Sequence, residues 1–258
     1  MYGFSENIYG GIMKRLLFVL LAGMVAAGLL FAGCSTDTGK IRVATDATWF
    51  PFEYVDTETS NIVGFDIDLF TEIAKEADLE VEFINVEWDP LLAGVAQGTY
   101  DAAISSITIR EDRMAEMNFS EPYYIAGQII VTLTSNTDIT EPEALSGKKV
   151  GVQTGTTGDY EVQEIEGAEV VGYDEIGMAF VALMGKQIDA VVCDTPVASG
   201  YLSKYDTLKT VGEVLTTEEY GIAVPKGKEE LLQKINEGLA KVKARGVIDE
   251  LIEKWLVD

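Results

Sequence analysis

Three hydroxyls and a guanidinium crowd one short stretch of this chain: Ser105, Ser106, Thr108 and then Arg113. They follow a brief apolar run, Ala102 to Ile104, within the segment Asp-Ala-Ala-Ile-Ser-Ser-Ile-Thr-Ile-Arg-Glu-Asp-Arg at 101–113. Strand ends that open into polar groups are where α/β proteins place small ligands. An arginine close by supplies a planar, permanently charged fork that matches a carboxylate. Such a set can hold a small zwitterion without doing chemistry on it.

The rest of the chain lacks the usual catalytic equipment. It contains no histidine, which removes Ser-His-Asp and Cys-His arrangements and every histidine-based zinc site. Two cysteines, Cys34 and Cys193, cannot furnish a four-ligand metal site, so no metal or cofactor is expected. Cys193 reads as a small buried residue. The net charge is −24, from 19 basic and 43 acidic residues. A field of that sign repels phosphate backbones, which excludes nucleic acid as a natural partner.

Positioning such a site requires alternating strands and helices, and the sequence supplies them. Residues 41–45 form a short apolar strand ending at Asp46. Residues 66–77 set Ile67, Phe70, Ile73, Ala74 and Ala77 on one helical face. Residues 81–86 alternate as a strand, 90–97 read as a helix and 102–105 as the next strand. A second round follows, with strands at 149–153 and 170–172, a helix at 175–185 and a buried strand at 188–193. Two helices close the chain, one carrying Leu232, Ile235, Leu239 and Val242, the other Val247, Ile248, Leu251, Ile252 and Trp255. Strands separated by helix-length segments predict mostly parallel sheets flanked by helices and the α/β class. Two rounds predict two lobes, with crossings at 123–127 and 220–224. Each crossing begins with tyrosine and carries a glycine that leaves the backbone free to change angle.

Polar groups then fall at the C-terminal ends of four predicted strands. These are Asp46, the pair Ser105-Ser106, the turn Thr154-Gly155-Thr156-Thr157, and Asp194. The Thr-Gly-Thr-Thr turn precedes a predicted helix, whose first N–H groups can hold an anion. Around these positions several charges and rings have plainer roles. Arg110 reads as a solvated charge, Trp255 as core, Asp101 as a turn residue. Asp66 reads as a carboxylate serving the open amides of its own helix start.

The first residues read as an export signal. Lys14 and Arg15 precede the uncharged stretch 16–33, which ends in small residues before Cys34. The four residues Phe31-Ala32-Gly33-Cys34 resemble a bacterial lipoprotein lipobox, which implies cleavage after Gly33 and a lipid on Cys34. An uncleaved anchor is the rival reading, since the run reaches the lower limit of a membrane span. Met13 is a natural start for such a signal, as Met1 is for the printed chain. Residues 34–39 form a small polar linker. The expected division is therefore 1–33 signal, 34–39 linker, 40–124 with 220–258 as one lobe, and 125–219 as the other.

Six blocks, in order, resemble one family. They are residues 44–53 (Ala-Thr-Asp-Ala-Thr-Trp-Phe-Pro-Phe-Glu), 64–69 (Gly-Phe-Asp-Ile-Asp-Leu), 101–113, 119–124 (Phe-Ser-Glu-Pro-Tyr-Tyr), 150–157 (Val-Gly-Val-Gln-Thr-Gly-Thr-Thr) and 194–196 (Asp-Thr-Pro). Together they make residues 40–258 similar to the solute-binding proteins of polar amino-acid ABC transporters. The resemblance implies a two-lobed, type II periplasmic-binding-protein-like fold with two hinge crossings that closes on its ligand like a clamshell. It implies that Arg113 takes a ligand α-carboxylate, helped by the Thr108 and Thr157 amides. It places Asp194 on the α-ammonium, with the Ser106 carbonyl and the Thr108 hydroxyl. Trp49 and Trp88 match positions that sandwich the ligand side chain, and Asp46 and Gln153 match positions near its tip.

The function expected is thus a membrane-anchored extracytoplasmic receptor that hands an L-amino acid to an ABC permease. A long side chain with a cationic end fits best, arginine or lysine ahead of glutamine. Two alternatives share the fold. One is a periplasmic dehydratase of the cyclohexadienyl or arogenate type, which needs a carboxyl raised in pKa by burial; the sequence identifies none. The other is an amino-acid sensor module, disfavoured because no signalling domain follows within the printed chain.

Overall fold

Two rounds of strand and helix build the body of the protein. The computed structural model describes residues 39–257. The export signal, the lipobox with Cys34 and all but the last residue of the 34–39 linker lie outside the described residues. Among the described residues no helix is long and apolar enough to cross a membrane.

The first round opens with β1 (Ile41–Thr45), followed by three short strands, β2 (Thr48–Trp49), β3 (Glu53–Val55) and β4 (Ile62–Val63). Helix α1 (Phe65–Glu76) buries Phe65, Ile67, Leu69, Phe70, Ile73 and Ala74, the stripe its spacing dictates. Then come β5 (Val81–Asn85), α2 (Trp88–Ala96), β6 (Ala102–Ala103), the short α3 (Glu111–Glu116) and β7 (Met117–Phe119). The chain leaves through β8 (Tyr124–Ala126) into β9 (Gln128–Leu133). The second round holds β10 (Lys149–Gln153), α4 (Thr157–Gln163), β11 (Glu169–Tyr173), α5 (Ile176–Met184), β12 (Ala190–Asp194), α6 (Thr195–Lys204) and β13 (Leu208–Val211). The chain returns through β14 (Glu218–Tyr220) to β15 (Ala223–Pro225) and ends in α7 (Glu229–Ala244) and α8 (Val247–Trp255).

The two rounds form two five-stranded sheets of matching design. The first has the order β5-β1-β6-β15-β7 and the second β11-β10-β12-β9-β13. In each, the first three strands are parallel, Val43 lying beside Ala102 and Val150 beside Ala190. The fourth strand of each sheet, β15 or β9, runs antiparallel. Both are strands that have just arrived from the other lobe. The fifth strand, β7 or β13, is antiparallel to the fourth and so runs with the first three. Each sheet is mostly parallel, as expected, with one reversed strand. The two crossings, β8 and β14, pair with each other antiparallel, Tyr220 beside Tyr124.

Phe52 joins this hinge to the first lobe. Its ring meets Tyr124 edge-on at 5.1 Å and Tyr220 at 5.7 Å, contacts worth roughly 0.5–1.5 kcal/mol each beyond simple burial. Gly127 sits in the crossing for reasons of space. A Cβ there would lie 2.1 Å from the Thr216 carbonyl oxygen of the return segment.

Three local departures from the sequence expectation bear on the site. The strand expected at 102–105 stops at Ala103, and Ser106 adopts a left-handed φ of 47°, uncommon for a residue with a Cβ. Helix α6 carries no clear apolar stripe and α3 spans six residues, so neither announces itself by periodicity. The return crossing β14 begins at Glu218, ahead of the 220–224 segment, because residues 223–225 already belong to the first sheet.

Candidate functional site

The C-terminal ends of β1, β6, β10 and β12 converge on one cavity. Asp46, Trp49, Trp88, Ser105, Ser106, Thr108, Arg113, Gln153, Thr156, Thr157 and Asp194 all line it. These are the eleven residues singled out from the sequence. A twelfth, Glu53, was not.

The two lobes meet across this cavity by direct hydrogen bonds. Gln153 at the end of β10 donates through Nε2 to Asp46 Oδ2 at 2.8 Å. Trp88 at the start of α2 donates through Nε1 to the Gly155 carbonyl at 3.0 Å. Gly155 has φ 73°, and a Cβ on it would come within 2.8 Å of Asp89 Oδ1, so this turn can approach α2 only as glycine.

Arg113 is the site's cation. It is 7% exposed yet forms no ion pair among the described residues. Its Nη1 donates to the Thr108 carbonyl at 3.0 Å, its guanidinium lies 5.1 Å from the Trp88 ring centre, and its Nη2 is buried without a partner. A buried guanidinium with an unused donor is costly unless an anion completes it. Asp194, 3% exposed at the end of β12, is the complementary case. Its Oδ1 accepts from Gln128 Nε2 at 2.7 Å and its Oδ2 from the Tyr220 hydroxyl. Both donors are neutral.

The family model described as bacterial extracellular solute-binding proteins, family 3, matches residues 41–258. The chain belongs to that family. It is 33% identical over 232 residues to a probable histidine-binding protein of Neisseria gonorrhoeae, covering 87% of this chain and 86% of that one. It is 34% identical over 243 residues to a putative ABC transporter arginine-binding protein of Escherichia coli K12, covering 92% of this chain and 98% of the relative. An ancestral arginine-binding protein solved with arginine superposes at TM-score 0.80 and with glutamine at 0.81, each 42% identical. Those matches cover 84 and 85% of this chain and 98 and 99% of the solved chains. The two-lobed fold expected from the sequence is the fold of these neighbours, and the family is extracytoplasmic.

Within this family member, acids dominate the cavity. Burial pushes the Asp194 carboxyl up to about 7, with the nearby Glu218 charge adding to the rise and the bonds from Tyr220 and Gln128 opposing it. Burial lifts Asp46 to about 6 against the lowering bonds from Thr48 and Gln153. Glu53 is fully buried and raised by burial and by its neighbour Asp66, which itself stands at about 7 through burial. The sequence identified no carboxyl raised by burial; the structure holds several, because burial is a property of distant segments coming together. Burial also depresses the Arg113 guanidinium, the adjacent Arg110 charge adding to the effect.

Asp66 departs from its sequence reading. It forms no cap to its own helix. Its Oδ2 instead accepts from the Ser106 amide at 2.8 Å and from the Tyr123 hydroxyl at 2.8 Å, which holds Ser106 in its left-handed turn. Glu53 accepts from Ser105 Oγ at 2.9 Å, and Ser105 Oγ accepts from the Asp46 amide at 2.9 Å. A chain of bonded groups thus backs the first-lobe wall. Glu53, Gln128, Glu218 and Tyr220 were missed by sequence reasoning. Glu53 closes a quoted block and Tyr220 opens a quoted crossing, but only the fold gives either a partner in the site.

Proposed function

We infer that the protein is a receptor for an L-amino acid with a cationic side chain, arginine or lysine ahead of glutamine. The observation that carries this is the buried, unpaired Arg113 guanidinium facing a cavity whose other charged lining groups, Asp46, Glu53 and Asp194, are all acids. A zwitterion supplies Arg113 with a carboxylate and Asp194 with an ammonium. A second positive charge at the far end of the side chain answers Asp46 and Glu53. One ligand so placed bridges both lobes, and its differential affinity favours their closed arrangement. The relatives named for arginine and histidine binding support the cationic choice; glutamine in the ancestral neighbour supports an amide as the next best fit.

The lobes of this receptor are residues 40–124 with 220–258, and 125–219. Cys34 carries a lipid that tethers it outside the cytoplasm, and an ABC permease receives the amino acid. The reading is a binding protein and not a dehydratase: the relatives are named as binding proteins, and the cavity acids Asp46 and Asp194 accept from the fixed donors Gln153, Gln128 and Tyr220. A thermal-shift screen against the twenty amino acids tests it. Arginine and lysine should raise the melting temperature most, glutamine less; no shift with any amino acid would end the reading.

A further inference from the structure

Glu218 lies in the return crossing β14, is 6% exposed and does not line the cavity. Four donors converge on its two oxygens. Thr108 Oγ1 and Thr157 Oγ1 reach Oε2 at 2.6 and 2.8 Å. Thr216 Oγ1 and Gln128 Nε2 reach Oε1 at 2.8 and 3.1 Å. Thr108 follows β6 of the first sheet, while Thr157 and Gln128 belong to the second lobe, so one hinge carboxyl grips both sides.

The directions of these bonds follow from what each group can do. Gln128 Nε2 also faces Asp194 Oδ1 and Thr157 Oγ1, so it is the donor end of that amide. The two Nε2 protons are shared among Asp194, Thr157 and Glu218; the Glu218 carboxylate only accepts, so Thr157 Oγ1 gives its own proton to it. Thr216 Oγ1 accepts from the Gln128 backbone N–H at 2.9 Å and does the same. Thr108 then spends its single proton on the same carboxylate. What its oxygen has left is lone pairs only.

We propose that Glu218 is a positioning residue that commits the Thr108 hydroxyl to act as an acceptor towards the cavity, and so selects ligands bearing an α-ammonium. The proposal rests on the amino-acid reading above and deepens it. Asp194 attracts the ammonium by charge; Glu218 acts through Thr108 by fixing which way a hydroxyl points. Because the carboxyl also bonds Thr157 and Gln128, the polarity of Thr108 is set by the hinge strand together with both lobes.

Glu218→Gln removes this control with little change of shape. The new NH₂ group would oppose Gln128 at the Oε1 position, so it settles beside Thr108 and Thr157, and the Thr108 proton is released towards the cavity. The experiment is calorimetric titration of the protein with L-arginine and with its des-amino analogue, 5-guanidinopentanoate. The preference for arginine over the analogue should fall about 10-fold or more in Glu218→Gln, the order of one charge-assisted hydrogen bond, while analogue affinity stays within about 2-fold. Equal loss for both ligands would mean a merely structural role and overturn the proposal. Thr108→Val, which keeps Glu218, should give the same selective loss, so the proposal also fails if that variant leaves the preference unchanged. If the unsubstituted protein binds no amino acid, the functional reading fails and this proposal with it; if it binds and the preference does not move, only the proposal fails.

Discussion

The two ends of the cavity solve different problems. At one end stand Arg113, Thr108, Thr157 and Asp194, a cation and an acid that lack charged partners of their own. At the other stand Asp46 and Glu53, with Asp66 bonded behind them and no cation among them. The first end can satisfy the carboxylate and ammonium that every amino acid carries. On the proposed reading the second discriminates by side chain: burial and the neighbouring Asp66 and Asp46 raise Glu53, and an entering positive charge would relieve it. A generic clamp and a selective wall thus share one small space, and substitutions should affect them differently.

The sharpest break in this contrast is Arg113→Ala. Removing one partner of a buried ionic contact costs about 2–5 kcal/mol, so all amino acids should bind about 100-fold more weakly or worse by calorimetry, whatever their side chain. Circular dichroism should show the fold retained. Loss for arginine alone would move Arg113 from the generic end to the selective one.

Acidification probes the same end next. Asp194 stands at about 7 in the cavity, and an ammonium can use it only after its proton leaves. Affinity should therefore weaken as pH falls below about 7, by tens of fold between pH 8 and pH 5. Asp194→Asn should bind weakly with most of that pH dependence gone. A flat profile in the unsubstituted protein would remove Asp194 from the ammonium.

At the selective end, Asp46→Asn should weaken arginine or lysine about 10-fold and glutamine only about 2-fold, the size of one partly screened charge contact. Equal losses would contradict the division of labour.

The smallest effect concerns stability without ligand, and its sign is opposite. Asp66 is raised from 3.8 to about 7 in the folded protein. Between those values the folded state keeps a proton that the unfolded chain has lost. Its contribution is therefore unfavourable at neutral pH, and stability rises as pH falls from about 7 towards 4. Melting scans should show this gain reduced by a few degrees in Asp66→Asn. An unchanged pH slope would show that Asp66 holds no such proton.

How much of this was legible in the sequence follows from distance along the chain. Gln153 and Asp194 end local apolar strands and Asp46 and Ser105 closely follow them, so strand order alone brings them to one edge. Arg113 and the two tryptophans needed the family blocks, since a lone arginine or tryptophan in such surroundings reads equally well as surface or core. Glu53, Gln128 and Glu218 were not marked as site residues. Each is a single polar residue at the start of a strand, and its meaning comes from partners 52, 66 and 110 positions away. The reversed fourth strands, β15 and β9, follow the crossings, and their direction is set by where the chain returns from the opposite lobe. Asp66 reads as structural from the sequence, and its partners are Ser106 and Tyr123 and not its own helix start.

The central claim is that opposed charges at one end and clustered acids at the other select a cationic L-amino acid. Calorimetric titration at pH 8 with L-arginine, L-lysine, L-glutamine and L-glutamate tests it most directly. Arginine and lysine should bind tightest, glutamine more weakly, and glutamate weakest because it adds a fourth acid to that wall. Glutamate binding as tightly as arginine, or no binding by any of the four, would contradict the account.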